Sequence, residues 1–385
     1  LVSLASCAPP ANAPQAAAES CSTARVRRIL AEQTARFRTT NPFPGATAAA
    51  AADWIVDGPA AAAVGSSDLQ GEKPLRTDDL LLAGSVGKTF FAAAALALAE
   101  EGTLDLDAPI SRYLDRSSPP NADRVTSRML LSHRSGYPEY DGEFMTGLIE
   151  DPLAVRTLDD WTGPLRRSAA LGTPGSAYAY SDINFVLLAA VLEGAAGQPA
   201  YSLIDRLFVR PLGLAHTVPS DRRRIPGLVA GYEGQEGLFG SDSVMGPEGL
   251  IFNPQFEWGG GGMASTAPDL ARWMFALAQG EALSVVSWAA MTTPTGADGY
   301  GLGLHAYVTP AGIAYGHSGY MPGYLTWMRW YEDLAVAVAL QINSSDGERV
   351  RDDGFDLLDD IAGALAVAGC GPSTQPIGRD VRTGQ

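Results

Sequence analysis

Histidine and cysteine are scarce in this chain, with four and three among 385 residues. They are scattered without metal-ligand spacing, which argues against a zinc site. Basic residues are outnumbered 27 to 43, a formal net charge of −16. That excess argues against a nucleic-acid role, and an anionic membrane surface would repel the domain. No apolar run reaches the ~18 residues needed to span a bilayer. No internal repeat is visible. Apolar and charged residues make up 46% and 18% of the chain, ordinary values for a globular protein. The length suffices to bury a large core in one or two domains.

The most informative residues that are present are Ser85 and Lys88, in Leu81-Leu82-Ala83-Gly84-Ser85-Val86-Gly87-Lys88-Thr89-Phe90. They stand at the head of an apolar, alanine-rich stretch, and residues three apart on a helix share a face. A serine hydroxyl needs a neighbouring base before it attacks. A lysine serves when burial or positive charge lowers its pKa. This is the Ser-x-x-Lys logic of penicillin-recognising enzymes. The same run is close to a phosphate loop, but that loop needs glycine five residues before Gly87, where Leu82 stands. A third reading has Ser85 capping a helix and Lys88 solvated.

The first residues, Leu1-Val2-Ser3-Leu4-Ala5-Ser6-Cys7, resemble the tail of an export signal, and Leu4-Ala5-Ser6-Cys7 resembles a bacterial lipobox with Cys7 as the lipidated residue. Cleavage near Ala11-Asn12-Ala13 is the alternative, disfavoured by Pro14 after the cut. The expected location is outside the cytoplasm: periplasmic, a cell-envelope lipoprotein attached through a lipid anchor, or secreted. Residues 1–20 then read as a signal remnant and flexible tether. Cys21 and Cys370 remain. They are expected to form a disulfide if the terminal helices pack side by side, with two free thiols as the alternative.

The spacing of Val26, Ile29, Leu30 and Phe37 predicts a helix over residues 22–38. Residues 46–56 and 60–65 read as a hairpin about Asp57-Gly58, although their alanine content weakens the signal. Residues 85–101, 184–195, 269–279 and 355–368 read as helices. Residues 300–307, 325–331 and 334–342 read as strands. Strand material and one helix thus lie at each chain end, with a helical, proline-rich segment between. The expected fold is α+β: a sheet domain from residues 21–104 and 251–372, a helical insertion over 105–250, and a disordered tail over 373–385. A cleft is expected where insertion meets sheet.

Two further motifs bear on chemistry. Tyr180-Ser181-Asp182, with Asn184 close by, places a phenol on a loop before a helix, where a nearby lysine would pull its pKa down. Gly316-His317-Ser318-Gly319-Tyr320 precedes a strand, where small residues admit substrate backbone. The backbone N–H groups of Ser85 and of the strand after Gly319 would form an oxyanion hole. Alone, each motif reads equally as a capped helix or a turn.

In this order, Ser-x-x-Lys, Tyr-Ser-Asp and His-Ser-Gly, the chain resembles the serine β-lactamase and D,D-peptidase superfamily. It is most similar to the class C-like branch, peptidase family S12. Residues 130–136, 260–266 and 300–303 resemble that family too. The resemblance implies a β-lactamase/transpeptidase-like fold, an antiparallel sheet flanked by terminal helices with an all-helical insertion. It implies an acylated Ser85, proton transfer by Lys88 and Tyr180, and substrate contacts from Asp182, His317, Ser318, Gly319 and Tyr320. No cofactor is implied. His317 stands where class C enzymes carry lysine, and would supply a charge that titrates near neutrality. His133 resembles a structural position under the active-site floor.

Asp182 departs from the Tyr-x-Asn of many relatives. An ionised aspartate only accepts hydrogen bonds. It would pair with Lys88, keep it charged, favour Tyr180 as base, and repel the carboxylate of a penicillin or peptide. The expected function is an exported serine hydrolase acting through an acyl-enzyme on esters or D-amino-acid amides and peptides. The alternative is a penicillin-recognising scaffold that acylates without turnover.

Overall fold

A computed structural model describes residues 21–56, 58–114, 118–140, 142–168 and 171–372. Cys7 and the expected tether, Asp57 of the expected turn, and the expected tail lie outside the described residues.

Strands β1 (Gly45–Ala51) and β2 (Ala60–Gly65) follow helix α1 (Thr23–Phe37). A two-residue strand β3 (Leu81–Leu82) leads into a 3₁₀ turn, Gly84–Gly87, and then α2 (Lys88–Glu100). The middle of the chain carries α3 (Ser127–Leu131), α4 (Gly142–Glu150), α5 (Leu158–Arg167), α6 (Asp182–Ala196) and α7 (Ala200–Ile204). It also holds two-residue strands β4 (Val218–Pro219), β5 (Met245–Gly246) and β6 (Gly249–Leu250), so it is not helical throughout. Then come β7 (Met263–Ser265), α8 (Ala267–Ala278), α9 (Val285–Thr292), β8 (His305–Thr309), β9 (Gly312–Met321), β10 (Tyr324–Tyr331), β11 (Val336–Ile342) and α10 (Gly354–Val367).

The main sheet has six strands in the order β2-β1-β11-β10-β9-β8, with every pairing antiparallel. The first and last parts of the chain meet where Ala46 pairs Ile342 and Ala50 pairs Val338. Side chains alternate across a strand, and β11 uses both faces. Val336, Val338, Leu340 and Ile342 join the core beneath α1 and α10, while Ala337 and Ala339 face the core that contains α2, α6 and α8. β1 is buried along its whole length because it lies between these two cores. Two-sided burial between helices explains why alanine fills a strand it does not intrinsically favour.

The terminal helices pack on each other, and Cys21 and Cys370 form a disulfide between Cα atoms 5.5 Å apart, across 349 residues of sequence. α6 is buried over residues 183–192 and ends at Gly197, whose φ of 64° is the left-handed C-cap that glycine tolerates. Among the described residues no single helix is long and apolar enough to cross a membrane.

Two sequence expectations shift. Residues 300–307 are not one strand: β8 begins at His305, and Tyr300 only bridges to it. The run containing His317 is no simple turn but the interior of β9, a ten-residue strand. Its glycines mask the periodicity, because they are selected by close packing rather than by strand preference.

Candidate active site

Ser85 sits in the 3₁₀ turn ahead of α2 rather than inside the helix. Gly84 has a φ of 51°, and a Cβ there would lie 2.6 Å from the Tyr320 amide nitrogen. A Cβ on Gly319 would lie 2.0 Å from the Ala83 carbonyl oxygen and 3.0 Å from the Ser85 nitrogen. Glycine at both positions lets the turn press against β9. This brings the Ser85 and Tyr320 amides to one place, across 235 residues of chain.

Lys88 is fully buried. Its Nζ lies 2.8 Å from Ser85 Oγ. It also donates to Asp182 Oδ1 and to the Gly260 carbonyl oxygen. Burial pulls the Lys88 pKa down, but Asp182 and then Glu257 more than offset it, leaving it above the ordinary lysine value. The ammonium is therefore the resting form, with three acceptors around its three N–H bonds.

The Tyr180 ring lies 5.2 Å from Lys88 Nζ. Its phenol is pushed well above the usual tyrosine value, first by burial and then by Asp182, although a hydrogen bond with Ser85 pulls the other way. The expected lowering by lysine does not occur, because burial, and after it Asp182, raises the phenol instead. Tyr180 rests as a neutral phenol.

His317 is likewise corrected. Burial, then the Lys88 charge, lowers its pKa to about 3. Nδ1 faces the Ser318 carbonyl oxygen, which only accepts, so Nδ1 carries the proton. Nε2 then accepts from the Tyr300 hydroxyl at 3.1 Å. The imidazole is a neutral spacer, not a cation near neutrality. Ser318 and Tyr320 alternate outward from it and are exposed.

His133 lies under Tyr180, with ring centroids 4.2 Å apart. Its Nδ1 accepts the Ser181 N–H at 3.2 Å and stands 3.1 Å from Asn184 Nδ2. Burial and Lys88 hold it well below the usual imidazole range. It fixes the loop that presents Tyr180 and Asp182.

The structure adds groups that sequence reasoning missed. Glu257 is buried beside the Lys88 carbonyl partner, and burial, reinforced by Asp182, raises its carboxyl well above the usual range. Glu139 accepts the Asp182 N–H at 2.8 Å and is also raised, by desolvation and by Asp182. Tyr300 orders His317. Glu257 stands two residues before the glycine run 259–262, the one available hint. Nothing local distinguishes Glu139. Among the described residues no group of three or more His, Cys, Asp or Glu side chains is placed to hold a metal ion.

Comparison with known proteins follows from this geometry. The family profile described as Beta-lactamase matches residues 35–362. The chain belongs to the Beta-lactamase family. Within that family, "Penicillin-binding protein 4*" of Bacillus subtilis is 29% identical over 283 residues, 70% of this chain and 62% of the relative. "Esterase EstB" of Burkholderia gladioli is 38% identical over 164 residues, 40% of this chain and 41% of the relative. The chain thus spans less than two thirds of these relatives' lengths. The crystal structure of a D-stereospecific amidohydrolase from Streptomyces superposes with a TM-score of 0.70 at 26% identity, covering 87% of this chain and 97% of that one. The β-lactamase-like α+β fold follows from these matches.

Proposed function

We propose that this Beta-lactamase family member is a serine hydrolase that cleaves esters or D-amino-acid amides without a free carboxylate, through an acyl-enzyme on Ser85. The observation that carries this reading is Ser85 Oγ lying 2.8 Å from the Nζ of a fully buried, counter-charged Lys88. The match to an esterase and the likeness to a D-stereospecific amidohydrolase support the substrate classes.

The protons can be followed atom by atom. At rest Lys88 is charged and Asp182 is its counter-ion. Transfer of one Nζ proton to Asp182 Oδ1 frees a lone pair on Nζ. Nζ takes the Ser85 proton as Oγ bonds to the substrate carbonyl carbon. The resulting oxyanion accepts from the Ser85 and Tyr320 N–H groups. As the carbonyl reforms, Tyr180 gives its phenolic proton to the leaving oxygen or nitrogen and recovers one through Lys88. A water molecule repeats the sequence to free Ser85.

Charge sets the preference against carboxylates. The β9 positions beside the nucleophile, His317 to Tyr320, carry no cation, and Lys88 is already engaged by Asp182 and Gly260. A substrate carboxylate would find no cation free to pair with it, because the Lys88 charge is already balanced by Asp182. The reading includes export, supported by the Cys21–Cys370 disulfide, since such bonds persist in oxidising compartments.

Intact-mass spectrometry with a fluorophosphonate probe tests the nucleophile. One adduct is expected on the wild type and none on Ser85→Ala, with steady turnover of a p-nitrophenyl ester by the wild type. Labelling of the alanine variant at the wild-type rate overturns the assignment. A burst without steady turnover would instead favour a scaffold that acylates and stops.

A further inference from the structure

The proton-transfer scheme above leaves Glu257 without a part. This residue is 7% exposed and stands ahead of the 3₁₀ turn Trp258–Gly260, where its carbonyl accepts the Gly260 N–H at 2.6 Å. The turn folds its carboxyl back over Gly260. A Cβ on that glycine would lie 2.8 Å from Glu257 Oε2, 3.4 Å from Asp182 Cβ and 3.6 Å from Tyr140 Oη. The Gly260 carbonyl accepts from Lys88, whose Nζ lies 2.8 Å from Ser85 Oγ. Glu257 thus reaches the Lys88–Asp182 pair across the Cα of one glycine. Its side chain makes no capping hydrogen bond to the turn, so helix capping does not account for its burial.

The ionisable groups around it are Lys88 on α2, Asp182 at the start of α6 with Tyr180 before it, Glu139 and Tyr140 ahead of α4, and Tyr201 on α7. Burial raises all three phenols above the usual tyrosine value, so they keep their protons while Glu257 ionises. Burial is also the main cause that raises Glu257. Asp182 raises it further, by more than Lys88 lowers it. Coulomb coupling is mutual, so an ionised Glu257 acts more strongly on Asp182 than on Lys88.

We infer that Glu257 is a positioning residue for acylation: its carboxylate drives one Nζ proton of Lys88 onto Asp182, and so frees the lone pair that takes the Ser85 proton. The inference rests on Ser85 being the acylated residue and Lys88 its base. Nζ gives one proton to Asp182 Oδ1 and takes another from Ser85 Oγ. Oγ bonds to the carbonyl carbon, and the carbonyl π pair moves to oxygen. Lys88 begins and ends as an ammonium, while negative charge moves from Asp182 to the substrate oxygen. Glu257 and Asp182 share the Gly260 side of Lys88, whereas the oxyanion forms against β9. With Glu257 ionised, this movement of charge relieves more repulsion than it adds. Glu257 is neutral at low pH and ionises as pH rises through its raised value, so acylation quickens with pH.

The test is the ratio of wild-type to Glu257→Gln kcat/KM for one neutral p-nitrophenyl ester, followed from about pH 5 to about pH 9. Exchanging a near repulsion for a farther one is worth about tenfold in rate, or ~1.4 kcal/mol. The ratio is expected to climb by that factor as a single titration, because the amide cannot ionise. A loss of active fraction scales the ratio without bending it. Glu257→Asp keeps an ionisable group and is expected to restore the climb with a shifted midpoint. Glu139→Gln, which removes the other raised carboxyl beside Asp182, is expected to keep the climb. A ratio that is flat or falls with pH, or a climb removed by Glu139→Gln, overturns the role of Glu257. If the glutamine variant does not fold, Glu257→Asp against wild type decides: a shifted midpoint supports the role and an unshifted one overturns it. Ester turnover that survives Ser85→Ala overturns the nucleophile assignment instead, so the two failures are distinguishable.

Discussion

Replacing Asp182 by asparagine separates the two jobs that this carboxylate holds. The change keeps shape and removes one charge beside a fully buried ammonium. Burial is the largest influence on Lys88, and it lowers the pKa; Asp182 is the largest influence raising it. Without Asp182 the largest raising influence is gone, Glu257 and Tyr300 remain, and Lys88 falls toward its unfolded value. Breaking a buried pair costs about 3–5 kcal/mol. The lower end applies here, because the Asp182 side chain is 19% exposed and the Gly260 carbonyl remains. The pH dependence then flattens. In the wild type the Lys88 contribution is intact below the unfolded lysine value and is lost as pH rises through the higher folded one. In Asp182→Asn the folded and unfolded values draw together, so the loss of stability at high pH shrinks. Urea unfolding at pH 9.5 and at about pH 11.5, on either side of the unfolded lysine value, reads this directly. The functional readout is the kcat/KM ratio of anionic nitrocefin to a neutral p-nitrophenyl ester. Removing the repulsion and restoring an amide donor is worth ~1.5–3 kcal/mol, about one to two decades in that ratio. An unchanged ratio, with the wild-type slope of stability against pH, refutes Asp182 as counter-charge and as the source of the preference.

Three further outcomes are expected. Gly319→Ala forces the nucleophile turn off β9, since its Cβ would meet the Ala83 oxygen at 2.0 Å, and kcat/KM falls by about 10²-fold or more, as when an oxyanion donor is lost; a variant with near-wild-type kcat/KM contradicts the Ser85–Tyr320 hole. Nitrogen NMR at pH 6 shows His317 as the neutral Nδ1–H tautomer, because its pKa lies at about 3 and the imidazole charges only below that; an imidazolium signal at pH 6 contradicts the Tyr300–His317–Ser318 chain. Reducing the Cys21–Cys370 bridge lowers unfolding stability by ~2–4 kcal/mol, and thiol counting on protein made in an oxidising compartment finds no free thiol at either position.

Local patterns carried much of this protein's logic. Ser85 and Lys88 meet because three residues of tight helical turn bring their side chains together, whatever the rest of the chain does. The amphipathic stripe of α1 and the glycine stop at Gly197 are equally local. Family resemblance brought Tyr180, His317 and Tyr320 to the same cleft before any coordinates. The charge states were beyond reach, because they depend on distant neighbours and on burial. Lys88 remains an ammonium owing first to Asp182, 94 residues away, and then to Glu257. Burial, and after it Asp182, keeps Tyr180 a neutral phenol, and burial makes His317 an uncharged strut where a titrating group was expected. Glu139 carries no signature in the sequence and Glu257 only its place near a glycine run, since a glutamate acquires a raised pKa only from the packing around it. Spacing along the chain determined which groups could react. Tertiary structure decided which of them hold a proton, because desolvation and Coulomb interaction act through space rather than along the backbone.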